Sequence, residues 1–293
     1  MIMNFEEKNN HLILGASSNI AAEYIALNGV DENNFFGLST KDNYKNLKML
    51  NKSVVYSNIK YFSNIKFNKI FIISSRNPSD GGDLSEFIEV NKTIENIINN
   101  INFSVAQKPQ IIFLSSFSVY DKQLAHISDT TETSPADYYG ESKLLLEGKL
   151  IKFSKNNDID LLILRLPVFL YNQVGLSSSN FLAKLSLSIK LKQSFHMSNP
   201  ESCLGAVFDM PSLVKLCSKK LSGINIINCA SNPDMTFFEI GEEAIKYGLE
   251  KVDWIVNDRP SVEICLNKIN QILGYEPSAK KIIKNWMSTE FKI

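Results

Sequence analysis

Tyr139 and Lys143 stand four residues apart in Tyr139-Gly140-Glu141-Ser142-Lys143, a spacing that on a helix sets phenol and ammonium side by side on one face. Together they can move a proton. A lone phenol, with a pKa of ~10, is a sluggish acid or base at neutral pH, but a neighbouring cation stabilises phenolate and brings the group toward its working range. The same spacing also suits a surface helix whose lysine is merely solvated. Upstream, Gln110-Ile111-Ile112-Phe113-Leu114-Ser115-Ser116-Phe117-Ser118-Val119-Tyr120 reads as an apolar strand ending in hydroxyls, and open parallel sheets bind ligands at the carboxyl ends of their strands.

A second site is written near the start of the chain. His11 to Ala21 gives a strand, a tight turn and a helix start in the order of a dinucleotide phosphate loop, with Gly15, Ser17, Ser18, Asn19 and Ile20 as the expected contacts. Such a turn aims free backbone amides and the positive helix end at a pyrophosphate. Only the first of three glycines is present, with Ser18 and Ala21 at the other two positions. Ala21 is a mild change, whereas Ser18 puts a side chain where the backbone should approach phosphate, although its hydroxyl can itself donate. An ordinary strand-turn-helix fits the segment equally well. A site for NAD usually has an acidic residue at the end of the next strand to hold the ribose hydroxyls. Here that strand ends in Ser39-Thr40-Lys41, which suits a 2′-phosphate and favours NADP(H) over NAD(H); a solvated turn in a lysine-rich chain is the alternative.

The elements that must carry these residues alternate. Apolar runs at His11–Gly15, Asn33–Ser39, Val54–Ser57, Lys69–Ser74 and Gln110–Ser115 are separated by helical patterns from about Asn19 and over Leu84–Asn100. A long helix over Tyr138–Lys155 precedes the nearly uniform apolar run Asp160–Leu166. Strands alternating with helices predict an α/β fold, a Rossmann-type doubly wound parallel sheet, with a smaller C-terminal lobe. Beyond Pro167 the pattern loosens: Ser177–Ser179 and Ser194–Gly205 read as loops around a helix near Phe181–Lys192, Asn225–Cys229 as one more strand, and the remainder as short amphipathic helices. The expected division is a dinucleotide-binding domain over 1–170 and a substrate-binding lobe over 171–293, interleaved with returning sheet elements near 206–232.

Composition narrows the classes. With 293 residues, 44% of them hydrophobic, the chain can bury a full core. Its 31 basic and 31 acidic residues cancel, so no global field draws it to nucleic acid or to an anionic membrane. Cys203, Cys217, Cys229 and Cys265 form no CxxC pair and have no histidine at ligand spacing, which argues against a disulfide framework and against a metal site and leaves reduced, mostly buried thiols as the expectation. A polar start carrying Glu6, Glu7 and Lys8, and no run near the ~20 apolar residues of a membrane span, point to a cytoplasmic protein.

The degenerate Gly15 loop, Ser115–Tyr120 after a strand, Tyr139–Lys143 on the next helix and Arg165-Leu166-Pro167 after another strand occur in one order. That combination resembles the extended short-chain dehydrogenase/reductase family, of the NAD-dependent epimerase/dehydratase kind, whose best-known members are nucleotide-sugar epimerases, dehydratases and reductases. The resemblance extends over nearly the whole chain. Phe87-Ile88-Glu89-Val90-Asn91 is similar to the family's helix bearing an asparagine behind the active site. Asn225–Cys229 with Phe238-Glu239-Ile240 is similar to its later strand and helix, and Arg259-Pro260-Ser261-Val262 with Leu273-Gly274-Tyr275-Glu276-Pro277 to its closing signature. It implies that Ser116 hydrogen-bonds the reacting sugar oxygen, that Tyr139 passes the proton, and that Lys143 tunes it and binds the nicotinamide ribose. Ser74, Ser75 and Pro167 would line the cofactor. Of the three arginines, Arg259 would clamp the substrate's diphosphate, as guanidinium forks match phosphate oxygens; Arg76 would face cofactor or substrate, and Arg165 would anchor a strand end.

Departures from the pattern sharpen the expectation. Phe117 and Ser118 stand where the family's dehydratases carry an acidic pair, so dehydration is not expected. Ser202-Cys203 and Tyr171-Asn172-Gln173 replace further family residues and leave the nucleotide half of the substrate open. The leading expectation is an NADPH-dependent reductase of a keto-deoxysugar nucleotide, as in polysaccharide biosynthesis. The alternatives are an NAD-dependent nucleotide-sugar 4-epimerase and a non-catalytic NADP-binding regulatory protein. A homodimer through paired helices is what the resemblance implies.

Overall fold

The computed structural model describes residues 9–28, 33–39, 52–55, 62, 64–73, 82–101, 108–170, 181–203, 207–256 and 262–291. The first part alternates as its apolar runs demand: β1 (Asn9–Leu14), α1 (Asn19–Asn28), β2 (Asn33–Ser39), β3 (Lys52–Val55), β4 (Lys69–Ile72), α2 (Leu84–Asn100) and β5 (Gln110–Ser116). After a short β6 (His126–Ile127) come α3 (Tyr138–Asn157), β7 (Leu161–Leu166), β8 (Val168–Leu170), α4 (Phe181–Leu191), β9 (Phe195–Ser198), β10 (Val207–Asp209) and α5 (Met210–Ser218). The chain continues through β11 (Ile224–Asn228), α6 (Phe237–Lys246), β12 (Val252–Ile255), β13 (Glu263–Ile264), α7 (Asn267–Leu273) and α8 (Ala279–Glu290).

Seven strands form one sheet in the order β11-β7-β5-β4-β1-β2-β3, and its pairs from β3 to β5 run parallel. The chain leaves β1 toward β2 and β3, then returns to β4 on the other side, so the order reverses between β1 and β4. This is a Rossmann-type sheet, and the reversal is where such sheets bind ligands. The residues of β2 and β7 are buried throughout, the mark of strands covered on both faces.

Contact within the chain divides it into two compact units: Met1–Asp121 with Thr133–Arg165 and Cys217–Ile227, and Lys122–Glu132 with Leu166–Leu216 and Asn228–Ile293. In the first, Leu12, Phe36, Ile70, Phe113 and Ile163 of the sheet pack with Ile94 and Ile98 of α2 and Leu146 and Leu150 of α3. Asp83 starts α2 with a reciprocal cap to Glu86, and Asp137 starts α3 by accepting from the Gly140 amide at 2.8 Å. Each such cap satisfies a backbone donor that the helix itself cannot.

The second unit gathers Leu182, Leu185, Ile240, Ile283 and Trp286 into its own core. It is edged by three parallel two-stranded ladders, β8 with β10, β9 with β12 and β6 with β13. Here the sequence expectation needs correcting, because β9 occupies part of the Ser194–Gly205 stretch read as a loop. The β3 strand also begins earlier than the Val54–Ser57 reading, at Lys52. All four cysteines are thiols, but only Cys217 and Cys229 are buried; Cys203 and Cys265 are half-exposed, fewer buried than expected. Among the described residues no helix is long and apolar enough to cross a membrane.

Candidate active site

Lys143 is not a solvated surface lysine. It is 4% exposed, its Nζ donates to the Leu114 carbonyl at 2.7 Å, and it lies 4.9 Å from the centre of the Phe113 ring and 5.6 Å from that of Tyr139. Burial pushes the ammonium down to about 7, against the opposing pull of the Glu147 carboxylate. Desolvation disfavours the charged form, which is why a cation in this place responds to pH near neutrality. Tyr139, half-buried in the first turn of α3, meets Phe87 of α2 edge to face, with ring centres 6.3 Å apart.

Ser116 closes β5 and caps the 3-10 turn Phe117–Val119. Its Oγ accepts from the Ser118 amide at 3.1 Å and donates to the Ser118 hydroxyl at 3.2 Å. That turn is pressed against the Gly140 backbone at the start of α3. The strand end bearing Ser116 is therefore tied to the helix bearing Tyr139 and Lys143 at two points, through Gly140 and through Leu114. From α2, buried Asn91 donates to the Ser142 carbonyl at 2.8 Å, and the Ser142 hydroxyl donates to the Tyr139 carbonyl at 2.8 Å. Asn91 thus braces the start of α3 from the side of α2.

The Gly15 turn follows β1, next to the reversal in strand order. Gly15 has a φ of 91°, a conformation that suits glycine. The outward-facing amides expected here need narrowing, for those of Gly15 and Ala16 both donate to the Leu38 carbonyl of β2, at 2.9 and 3.1 Å. Ser18 is also turned inward: its Oγ accepts from the Ala21 amide at 3.1 Å and caps α1. The anion-attracting feature is then the helix start at Asn19 and Ile20, whose positive end favours a phosphate. Ser17 lies on the same turn, and Ser39 is buried at the end of β2.

Several expected residues, Thr40, Lys41, Ser74, Ser75, Arg76 and Arg259, lie outside the described residues. Pro167 is half-exposed between β7 and β8, in the second unit. Arg165 is buried and anchors a strand end as expected, but its partner Glu147 was not foreseen. Glu147 takes a two-pronged ion pair from Arg165, Nε to Oε1 at 3.1 Å and Nη2 to Oε2 at 2.7 Å. The signal was available, since Glu147 follows Lys143 by four residues on the same helix face.

The model of the NAD dependent epimerase/dehydratase family matches residues 18–203, more than half of the chain. No curated protein matches by sequence. Among solved structures, UDP-glucuronic acid 4-epimerase from Bacillus cereus, in complex with NAD, is similar with a TM-score of 0.76 at 13% identity, covering 96% of this chain and 95% of that one. UDP-N-acetylglucosamine 4-epimerase from Methanobrevibacter ruminantium M1, in complex with UDP-N-acetylmuramic acid, gives 0.74 at 16% identity, covering 97% of each. UDP-glucose 4-epimerase from Thermotoga maritima, with UDP-glucose, gives 0.74 at 14% identity, covering 96% and 97%. At such identities the likeness is one of fold, and with the family match it leads to one conclusion: the chain belongs to the NAD-dependent epimerase/dehydratase family of extended short-chain dehydrogenases/reductases.

Proposed function

We propose that this chain is an NAD(P)-dependent oxidoreductase that works at one carbon of a nucleotide-linked sugar. The observation that carries the reading is Lys143, buried and held by Leu114 on the face of α3 that also bears Tyr139, with the Ser116 turn pressed against the same helix. A nicotinamide cofactor, when bound, would supply the hydride chemistry. Tyr139 gives a proton to the sugar oxygen, or removes one from it, and the Lys143 ammonium stabilises the phenolate left behind. Ser116 donates a hydrogen bond to that oxygen and polarises its bond to carbon; to do so it turns from the Ser118 hydroxyl.

In the finer reading the enzyme is an NADPH-dependent reductase of a keto-sugar nucleotide, since Thr40 and Lys41, following Ser39, offer a hydroxyl and a cation where a carboxylate would select NAD. The start of α1, at Asn19 and Ile20 with Ser17 on the turn before it, would receive the pyrophosphate, Ser74 and Ser75 would line the cofactor, and Arg76 and Arg259 would hold the substrate. A second reading, an NAD-dependent 4-epimerase, has its own support: the similar structures named above are 4-epimerases, one of them with NAD. Epimerisation would oxidise and re-reduce one carbon with the same three side chains. Fluorescence titration with NADPH and NADH, followed by a panel of UDP- and dTDP-linked sugars and keto-sugars, separates the two. Net oxidation of NADPH marks the reductase; inversion with co-purifying NAD and no net consumption marks the epimerase; no cofactor binding rejects both.

A further inference from the structure

The polar cluster behind Lys143 holds more charge than proton transfer at Tyr139 requires. Glu147, one turn further along α3 and 2% exposed, accepts from the Ser115 hydroxyl at 2.5 Å as well as from Arg165. Arg165, 7% exposed, spends its remaining prong on the Tyr120 hydroxyl at 2.7 Å and lies 5.0 Å from the centre of that ring. Leu114 and Ser115, next to Ser116 at the end of β5, therefore meet Lys143 and Glu147 on successive turns of α3. Buried ion pairs are costly to desolvate and often add no more stability than apolar residues of the same volume.

We propose that Glu147 is a positioning residue for the reaction: fixed by Arg165 and Ser115, its carboxylate keeps the buried Lys143 ammonium charged and seated on Leu114, and so keeps Tyr139 able to exchange its proton. The proposal rests on the oxidoreductase reading of Tyr139 and Lys143. Charge alternates along the row, with Lys143 positive, Glu147 negative and Arg165 positive. Among the described residues, the groups shown against this row are Tyr139 on α3, Tyr120 after the 3-10 turn, and the Phe113 ring, Leu114 carbonyl and Ser115 hydroxyl of β5. Burial lowers Lys143 to about 7, and the Glu147 charge is what opposes it. Without that charge the lysine gives up its proton at still lower pH and leaves the phenol unsupported at neutrality.

The test compares Glu147→Gln with Glu147→Gln/Arg165→Gln, which removes both charges and leaves no ion uncompensated. The titration of Lys143 is followed in the cofactor-free protein by NMR of lysine labelled at Cε, its signal assigned with Lys143→Met. In Glu147→Gln we expect Lys143 to lose about tenfold in proton affinity, and in the double variant a smaller loss in the same direction, because the Arg165 cation that opposes Lys143 is gone as well; in both, kcat should fall with little change in KM and the alkaline limb of the pH profile should move down. An unchanged Lys143 midpoint in either folded variant overturns the proposal, as does failure of both variants to fold, which would assign the pair to stability. Because the titration does not depend on turnover, it judges the coupling even if retained activity in Tyr139→Phe has rejected the oxidoreductase reading.

Discussion

Gly140 and Ser118 touch through their backbones: a β-carbon at position 140 would stand 2.0 Å from the Ser118 carbonyl oxygen and 2.7 Å from its carbon, with Pro135 Cβ at 3.0 Å. Backbone cannot rotate away as a side chain could. The glycine between Tyr139 and Glu141 is therefore a contact surface, and it fixes the separation of the Ser116 turn from the start of α3.

Gly140→Ala should displace the helix start by roughly an ångström, a shift that can cost about 10²-fold in rate when it disturbs reacting groups. We expect kcat to fall at least about tenfold and stability to drop by about 1–3 kcal/mol, with cofactor affinity nearly unchanged. Steady-state kinetics and urea denaturation check this. Wild-type kcat and stability would mean that the contact is not made.

Gly148, two turns further along the same helix, has nothing within 4 Å of its missing β-carbon and is exposed. Gly148→Ala should raise stability by about 0.5–1 kcal/mol through helix propensity alone. A loss of stability would show that this face is packed against something.

The contrast between these glycines marks what the sequence could and could not tell. The long elements were legible because burial on both faces leaves apolar runs, as in Leu161–Leu164 and Ile111–Leu114, and because α2 repeats its apolar residues at helical spacing. Tyr139, Lys143 and Ser116 were legible as types at a spacing. Their burial was not, since a solvated and a buried lysine are written with the same letter. The ladders of β6, β8, β9, β10, β12 and β13 are two to four residues long, too short for a period of two to stand out. The inward turn of Ser18 and the Leu38 carbonyl that takes two amides from the phosphate turn depend on where β2 lies beside β1, which no local pattern records.

His11 offers a pH test at the opposite end of β1. It is 4% exposed, and its Nδ1 has no hydrogen-bond partner among the described residues. Burial, aided by the charge of Lys69, lowers its pKa from 6.5 to about 4. The unfolded chain therefore binds the proton more tightly between those values, so stability should be complete above pH 6.5 and decline as pH falls toward 4, by up to about 3 kcal/mol from this residue. His11→Leu should flatten the decline between pH 6.5 and 5 in urea titrations. An equally steep decline in the variant would assign it to other groups.

Cofactor choice is open to a charge test. If Lys41 meets a 2′-phosphate, Lys41→Ala should weaken NADPH binding by about tenfold, the worth of one charge-assisted hydrogen bond, and leave NADH within about twofold. Equal loss for both, or tighter NADH binding by the wild type, would favour NAD and the epimerase.

The most direct measurement is turnover of the accepted sugar nucleotide by Tyr139→Phe, with cofactor affinity measured in parallel. Removing one hydroxyl from a half-buried ring leaves the fold in place, so we expect kcat to fall by about 10²–10⁴-fold while cofactor affinity changes by less than about threefold. Wild-type turnover in Tyr139→Phe would contradict the assignment of this phenol as the group that moves the proton.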